Sequence, residues 1–389
     1  MVRFGIDNIV KINPAWKNEK IGLITNAAAT NAQLVPSRKL LKDLDFNIKK
    51  LFSPEHGLDL RGVDGAKMDD FVDVLTQLPV ISLYGNKVMP SADDLNDIDL
   101  LLFDIPDVGC RYYTYLWTMT YALEACKKYH KKMIVLDRPN PISGFLPLSE
   151  GPILDEQTCS SFIGRWGIPL KHGCTIGELA LYFNETKKIH ADLEIVKCSF
   201  WNREMMQPDW GMQFVPTSPA IQNFEAAILY PGLGLLEATN ISEGRGTALP
   251  FQQVGAPWMD GNKIAEAFNG FGIDNLDLEP VGFIPTENKY KNESCNGVKF
   301  RVTHYPSYLP IFTTLLFIKL VKDIYPQHFK WMPYPTHVNP SGNNHLDKLL
   351  GIEKSEGLFN LPMLAFLQKI ELFTNSGEWQ KAIKPFLLY

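Results

Sequence analysis

Three stretches of this sequence group acids, cations and aromatic rings closely enough to do chemistry. The first is Leu51-Phe52-Ser53-Pro54-Glu55-His56-Gly57, where an apolar run delivers a carboxylate and an imidazole. Pro54 stiffens the backbone on one side and Gly57 permits a sharp turn on the other, which suits a positioned acid or base. Read alone, the same segment also fits a turn cap beside a histidine bonded to a loop. The second stretch runs from Asp104 to Trp117 and sets Asp104, Asp107, Arg111 and three tyrosines, Tyr112 among them, around the start of a helix. Carboxylates beside aromatic faces are a common way to bind sugars, the rings stacking on C–H faces and the acids bonding hydroxyls. Trp117 and Tyr121 are expected instead to be core residues of that helix. The third runs from Glu237 to Thr247 and carries Glu237, Asn240, Glu243 and Arg245, with Gly244 and Gly246 flanking the arginine. Glycines there would let the backbone approach a ligand closely, although a polar hairpin loop explains the same residues.

These groups need elements to hold them. Five short apolar runs in the first third each end on a polar residue: Ile21 to Thr25 leads to Asn26, and the run before Glu55 is the second. Leu78 to Leu83 leads to Tyr84, Leu100 to Phe103 to Asp104, and Met133 to Leu136 to Asp137 and Arg138. Helical spacing fills the gaps at Ala32 to Leu44, Ala92 to Asn96 and Tyr113 to His130. A βαβ alternation of this kind predicts a mainly parallel sheet with helices on both faces and ligands bound beyond the strands' carboxyl ends. Asn26, Tyr84, Asp137 and Arg138 therefore join the candidates for one crevice.

After Pro141 the pattern changes. Thr175 and Glu178 have capping-box spacing for a helix to about Asn184, and Asp192 to Phe200 reads as a strand. The cluster Pro216-Thr217-Ser218-Pro219 is a strong break, so two domains are expected: a Rossmann-like α/β domain over 1–225 and a smaller α+β domain over 226–389. Ala226 to Tyr230 opens the second as a buried-strand candidate, and Val298 to Val302, Leu315 to Ile324 and Leu361 to Phe373 are further apolar segments. The charged loop from Gly57 to Phe71, with Asp59, Arg61, Asp64, Lys67, Asp69 and Asp70, is expected to close over a ligand beside Glu55.

Composition narrows the chemistry further. With 389 residues, 45% hydrophobic and 21% charged, the chain has material for two sizeable cores. A net charge of −5 supplies no basic field, which argues against a nucleic-acid partner. The six cysteines form no Cys-x-x-Cys pair and read as buried thiols. No apolar run approaches the ~20 residues that cross a bilayer, and no leader is visible, so a cytoplasmic location is expected, or a periplasmic or secreted one if a leader has been removed. Asn26-Ala27-Ala28-Ala29-Thr30 stands where a dinucleotide-binding protein carries G-x-G-x-x-G, and the P-loop, G-x-S-x-G and H-E-x-x-H patterns are absent. Neither a cofactor nor a metal is expected, the eight histidines being scattered.

Taken together, Leu51 to Gly57, Asp104 to Trp117, Leu136 to Pro141, Glu150-Gly151-Pro152, and Glu237 to Thr247 followed by Pro250-Phe251 and Gly255 to Trp258 resemble the NamZ-type exo-β-N-acetylmuramidases over nearly the whole chain. The resemblance implies a Rossmann-like domain and a smaller C-terminal domain with the active site in the cleft between them. It also implies removal of β-linked N-acetylmuramic acid from the non-reducing ends of peptidoglycan fragments, so disaccharides or glycan strands become the expected partners. Glu55 matches the family's catalytic glutamate, and His56, Asp104, Arg111, Tyr112, Glu243 and Arg245 fall in its shared motifs. Leu58-Asp59-Leu60 departs from the family's aromatic-Arg-Gly run. Glycoside hydrolysis needs a proton donor and a group on the other face of the ring. Glu55 is the expected acid, protonated by virtue of burial. Asp104, Glu243 or the substrate's own acetamido group is left for the second role. Arg245 and Arg111 are the candidates to grip the lactyl carboxylate through paired hydrogen bonds. A sugar-binding protein without turnover on the same fold is the alternative.

Overall fold

A computed structural model describes residues 1–60, 62, 70–337 and 339–389. Its first half is a seven-stranded sheet in the order β3-β4-β2-β1-β5-β6-β7. The strands are β1 (Ile21–Thr25), β2 (Ile48–Ser53), β3 (Phe71–Val72), β4 (Pro79–Ser82), β5 (Leu100–Asp104), β6 (Lys132–Leu136) and β7 (Leu193–Val196). All pairings are parallel except that of the two-residue edge strand β3, which runs against β4. The expected Rossmann-like sheet is thus present, with its five polar-ended runs as adjacent strands.

The sequence period explains why both faces are covered. Leu23, Leu51, Leu100, Leu102, Ile134 and Leu136 pack on one side with Ile6 and Ile9 of α1 (Gly5–Ile12) and Leu41 of α2 (Ser37–Asp43). Their strand neighbours Ile24, Phe52, Leu101, Phe103, Met133 and Val135 point the other way. After the short α3 (Ala92–Leu95), that second face is covered by α4 (Tyr115–Lys128) and α5 (Ile176–Thr186). Alternate side chains of a parallel strand must each find a helix, which is why these runs are continuously apolar. Thr175 accepts from the amide of Glu178 in the expected capping box. α2 starts later than the helical spacing suggested: Asn31 closes a turn by accepting from the amides of Gln33 and Val35, Leu34 is left-handed at φ 65°, and Pro36 disfavours helix before it.

The second half differs from the sequence reading at its first element. Ala226 to Tyr230 is not a strand but the middle of α6 (Phe224–Leu233), whose Asn223 side chain accepts from the amide of Ala226. A short, wholly buried helix shows no polar face, so period alone cannot separate it from a buried strand, and the asparagine cap was the missed signal. Beyond a 3₁₀ turn at Gly234–Ala238 come β8 (Gln253–Ala256), α7 (Gly261–Asn269), β9 (Leu276–Phe283), β10 (Cys295–Val302), α8 (Pro310–Ile324) and α9 (His345–Leu350). The three strands form an antiparallel sheet ordered β8-β10-β9, giving the smaller α+β unit.

The two halves share one apolar core, in which Leu116 and Trp117 of α4 join Leu229, Val298 and Phe317. Polar contacts reinforce the join. Buried Glu150 accepts the amides of Ile311 at 3.1 Å and Phe312 at 2.5 Å, stabilising the N-terminus of α8 from the first half of the chain. All six cysteines are free and buried, as read from the sequence. No helix among the described residues is long and apolar enough to cross a membrane.

Candidate active site

A cleft opens beyond the carboxyl ends of β2 and β4 and is walled by both halves of the chain. Glu55, His56, Tyr84, Tyr112 and Thr114 line it from the sheet, and Glu237, Arg245, Phe251, Tyr334 and His345 from the second half.

Glu55 reaches the cleft because β2 ends in a tight, strained turn. The amide of Gly57 donates to the carbonyl of Pro54 at 3.0 Å, and both His56 (φ 65°) and Gly57 (φ 74°) are left-handed. Such a φ is costly for a non-glycine residue and persists where the surroundings enforce it. Here Gly62 does so: its amide donates to the carbonyl of His56, and its carbonyl lies 3.0 Å from the His56 Nδ1. A carbonyl only accepts, so Nδ1 carries a proton. The Glu55 side chain is 6% exposed and accepts a 2.7 Å hydrogen bond from the Thr114 hydroxyl. Thr114 immediately precedes α4 yet makes no side-chain cap for it, its hydroxyl being turned to Glu55 instead.

Tyr84 emerges from β4 beside this carboxylate. Ser53 of β2 is paired with Ser82 of β4, and Glu55 and Tyr84 each stand two residues further on. Tyr112 presents its ring to the cleft while its hydroxyl donates to the Tyr230 carbonyl at 2.7 Å.

Arg245 forms the charged wall. Its Nη2 lies 2.8 Å from Glu237 Oε1 and its Nε 3.3 Å from Glu243 Oε1, with the guanidinium 4.9 Å over the Phe251 ring. Glu243 is also 2.9 Å from the Lys289 ammonium. Burial pushes the Glu243 carboxyl upward, but Lys289 and Arg245 outweigh it and hold the group below its ordinary pKa. Gly244 (φ 77°) and Gly246 (φ 75°) do permit a close approach, to the protein's own backbone rather than to a ligand: an added Cβ would lie 2.6 Å from the Gln253 carbonyl and 2.5 Å from the Glu287 amide.

Other predicted site residues sit elsewhere. Asp104 and Arg138, 0% and 5% exposed, form a bidentate pair at 2.6 and 3.0 Å, and Arg138 also donates to the Thr30 carbonyl. Arg111 is fully buried and donates to the carbonyls of Pro152, Ile168 and Leu349, each at 2.8 Å, tying the two halves together rather than facing the cleft. Asp137 accepts from Thr175, the Gly177 amide and the Tyr389 hydroxyl, and burial pushes its carboxyl up to about 6. Asp107 accepts from the Gly109 amide and lies 3.2 Å from His172 Nε2. Asn240 bridges to the backbone of His328 and Lys330, and Asn26 closes its own turn by accepting from the Ala28 amide. Glu243 is not among the residues lining the cleft but pairs with Arg245, which is. The expected lid falls largely on Arg61 and residues 63–69, outside the described residues.

The sequence reading also missed cleft residues. Thr114 lay inside a motif already singled out, and its place beside a helix start was a usable signal. Phe162 and Ile163 sit in a turn-rich stretch with no pattern to betray them. His345, passed over as a scattered histidine, stacks on Tyr334 with ring centroids 4.8 Å apart and brings Nε2 to 3.6 Å from Glu237 Oε2. Among the described residues no cluster of histidine, cysteine or carboxylate is arranged to hold a metal ion.

The architecture and cleft define a class: a two-part α/β protein with carboxylates, an arginine and tyrosines gathered where a parallel-sheet domain meets a smaller antiparallel one. Within that class the chain belongs to the exo-β-N-acetylmuramidase NamZ family, whose N-terminal model matches residues 21–225 and whose C-terminal model matches residues 228–389. It is 40% identical over 344 residues to the peptidoglycan β-N-acetylmuramidase NamZ of Bacillus subtilis (strain 168), covering 88% of this chain and 82% of that protein. Two crystal structures of DUF1343 family proteins from Bacteroides fragilis NCTC 9343 share the fold. One aligns with a TM-score of 0.87 at 29% identity and the other with 0.70 at 27%, each covering 100% of this chain and 99% of its own.

Proposed function

We propose that this protein is an exo-β-N-acetylmuramidase that releases N-acetylmuramic acid from the non-reducing ends of peptidoglycan fragments, with Glu55 as general acid. The observation that carries the reading is the placement of Glu55: a nearly buried carboxylate at a strand end, in a cleft, fixed through one oxygen by Thr114. A hydroxyl both donates and accepts, so Thr114 can hold Glu55 before and after proton transfer. In the reaction Glu55 gives its proton to the glycosidic oxygen as the bond to the anomeric carbon breaks. A water then supplies the new hydroxyl at that carbon, and its proton restores the acid.

The geometry also bears on the second role. Asp104 has both oxygens committed to Arg138, and Glu243 is shared between Lys289 and Arg245. Glu237 is also ion-paired, with Arg245, but unlike Asp104 and Glu243 it lines the cleft together with Glu55, which makes it the better-placed candidate to act on or orient the reacting sugar. Arg245, which lines the cleft although it is paired with Glu237 and Glu243, is better placed than Arg111, buried on three carbonyls, to receive the lactyl carboxylate that distinguishes muramic acid.

The test is turnover of a MurNAc–GlcNAc disaccharide by wild type and Glu55→Gln. Free N-acetylmuramic acid from wild type and a loss of at least about a hundredfold in the variant are expected, the scale of a general acid's contribution. Near-normal turnover by Glu55→Gln would remove it as the acid. Tight calorimetric binding without product from wild type would turn the reading into that of a sugar-binding protein.

A further inference from the structure

We propose that Phe162, with Tyr84, forms the platform for the leaving sugar, the N-acetylglucosamine unit on the reducing side of the cleaved bond; this rests on the muramidase reading above.

Phe162 and Ile163 occupy the tip of a small hairpin closed by reciprocal backbone hydrogen bonds between Ser161 and Gly164. The hairpin is anchored from behind. Arg165 donates to both Glu124 oxygens and to the Thr120 hydroxyl, all on α4, and its guanidinium stacks 3.8 Å from the Tyr121 ring and 4.3 Å from Trp166. Ser160 donates to the Arg165 carbonyl across the turn. These contacts on one arginine brace the tip from α4, and the tip presents two apolar side chains to the cleft.

Phe162 is only half-buried there, set edge-on to Tyr84 at 5.3 Å and parallel to Tyr121 at 6.4 Å. An aromatic surface held rigidly at the wall of a small-molecule cleft offers contact area without ordering cost, which suits the C–H face of a sugar ring.

The position of Glu55 decides which sugar. A general acid must meet the oxygen between the two units, so the two sugars lie on either side of it. Glu55 and Tyr84 leave adjacent strands at the same level, so the Tyr84–Phe162 pair flanks the acid on the first-half wall. The charged groups that suit the lactyl carboxylate, Arg245 with Glu237 and His345, come from the second half. Muramic acid on the Arg245 side leaves the Tyr84–Phe162 side for glucosamine.

The experiment compares kcat/KM on MurNAc–GlcNAc and on methyl β-N-acetylmuraminide, which keeps the lactyl group and the bond to be cleaved but has no second ring. In Phe162→Ala the ratio of disaccharide to methyl glycoside should fall about tenfold, the scale of removing one well-packed aromatic contact, with the change mainly in KM. Phe162→Trp, which keeps a ring and leaves the hairpin anchors untouched, should preserve most of the wild-type ratio. An equal loss on both substrates in folded Phe162→Ala would overturn the assignment and move Phe162 to the muramic side. If wild type releases muramic acid from neither substrate, the muramidase reading itself fails and the platform falls with it.

Discussion

Asp104 offers the sharpest separation between a catalytic and an architectural role, because the sequence makes it a catalytic candidate yet it lies bonded to Arg138. The perturbation is Asp104→Asn, which keeps shape and removes charge. In the native protein Arg138 Nε and Nη2 lie 2.6 and 3.0 Å from the two Asp104 oxygens, and neither residue is more than 5% exposed. Removing one charge therefore leaves a buried guanidinium without its counter-ion, its other partners being the Thr30 carbonyl, the Ser37 hydroxyl and the Phe4 ring. Breaking a buried pair from one side costs about 3–5 kcal/mol, a large share of the ~5–15 kcal/mol that stabilises a typical native protein. At roughly 2–3 °C per kcal/mol for a protein of this size, the melting temperature should drop by roughly 6–15 °C. The double variant Asp104→Leu with Arg138→Met should regain most of the loss, since paired apolar replacements often match a buried ion pair. Urea melts supply stability, and disaccharide turnover per folded molecule supplies activity. The architectural reading expects the folded fraction of Asp104→Asn to stay within about tenfold of wild type, because no atom of the pair lines the cleft. A variant of normal stability that loses a thousandfold in kcat would refute it and return Asp104 to the reaction.

Two further predictions address selectivity and pH. Arg245→Ala should cost chromogenic muramic substrates far more than their glucosamine counterparts, by about tenfold or more for a lost arginine–carboxylate bond; equal losses would mean that Arg245 does not read the lactyl group. Glu150, buried against the α8 amides, has its carboxyl lifted by burial to about 7, with nearby Lys171 opposing the shift. A raised acid binds its proton more tightly folded than unfolded, so this term stabilises the protein below about pH 4.5 and is lost as pH rises to about 7. Glu150→Gln should flatten the decline in urea midpoint between pH 5 and 7, and an unchanged slope would dissociate Glu150 from it.

Much of the architecture was legible in the chain because it rests on local rules. A short, continuously apolar run bounded by turns fits a strand buried on both faces, and five such runs became five neighbouring strands. The Thr175 box and the span of α4 followed from capping chemistry and helical period. The reading erred at Ala226 to Tyr230, where burial all round erased the period, and at the start of α2, where an asparagine turn and Pro36 outweighed helical spacing.

The candidate cleft divides in the same way. By itself the sequence determined that Glu55 would stand at a strand end, because Pro54 and Gly57 bracket it chemically, and that acids and arginines would cluster in three motifs. Only the tertiary structure decided which of those charges face a ligand and which face each other. Asp104 and Arg138 lie 34 residues apart, and Arg111 and the Leu349 carbonyl 238 apart, so no local pattern shows that each charge already has its partner. The same holds for Thr114 and Glu55, 59 residues apart, whose contact depends on β5 and β2 flanking β1 in one sheet. Burial makes an unpartnered polar group costly, and the partners that relieve the cost are chosen by the fold rather than by neighbours in the chain.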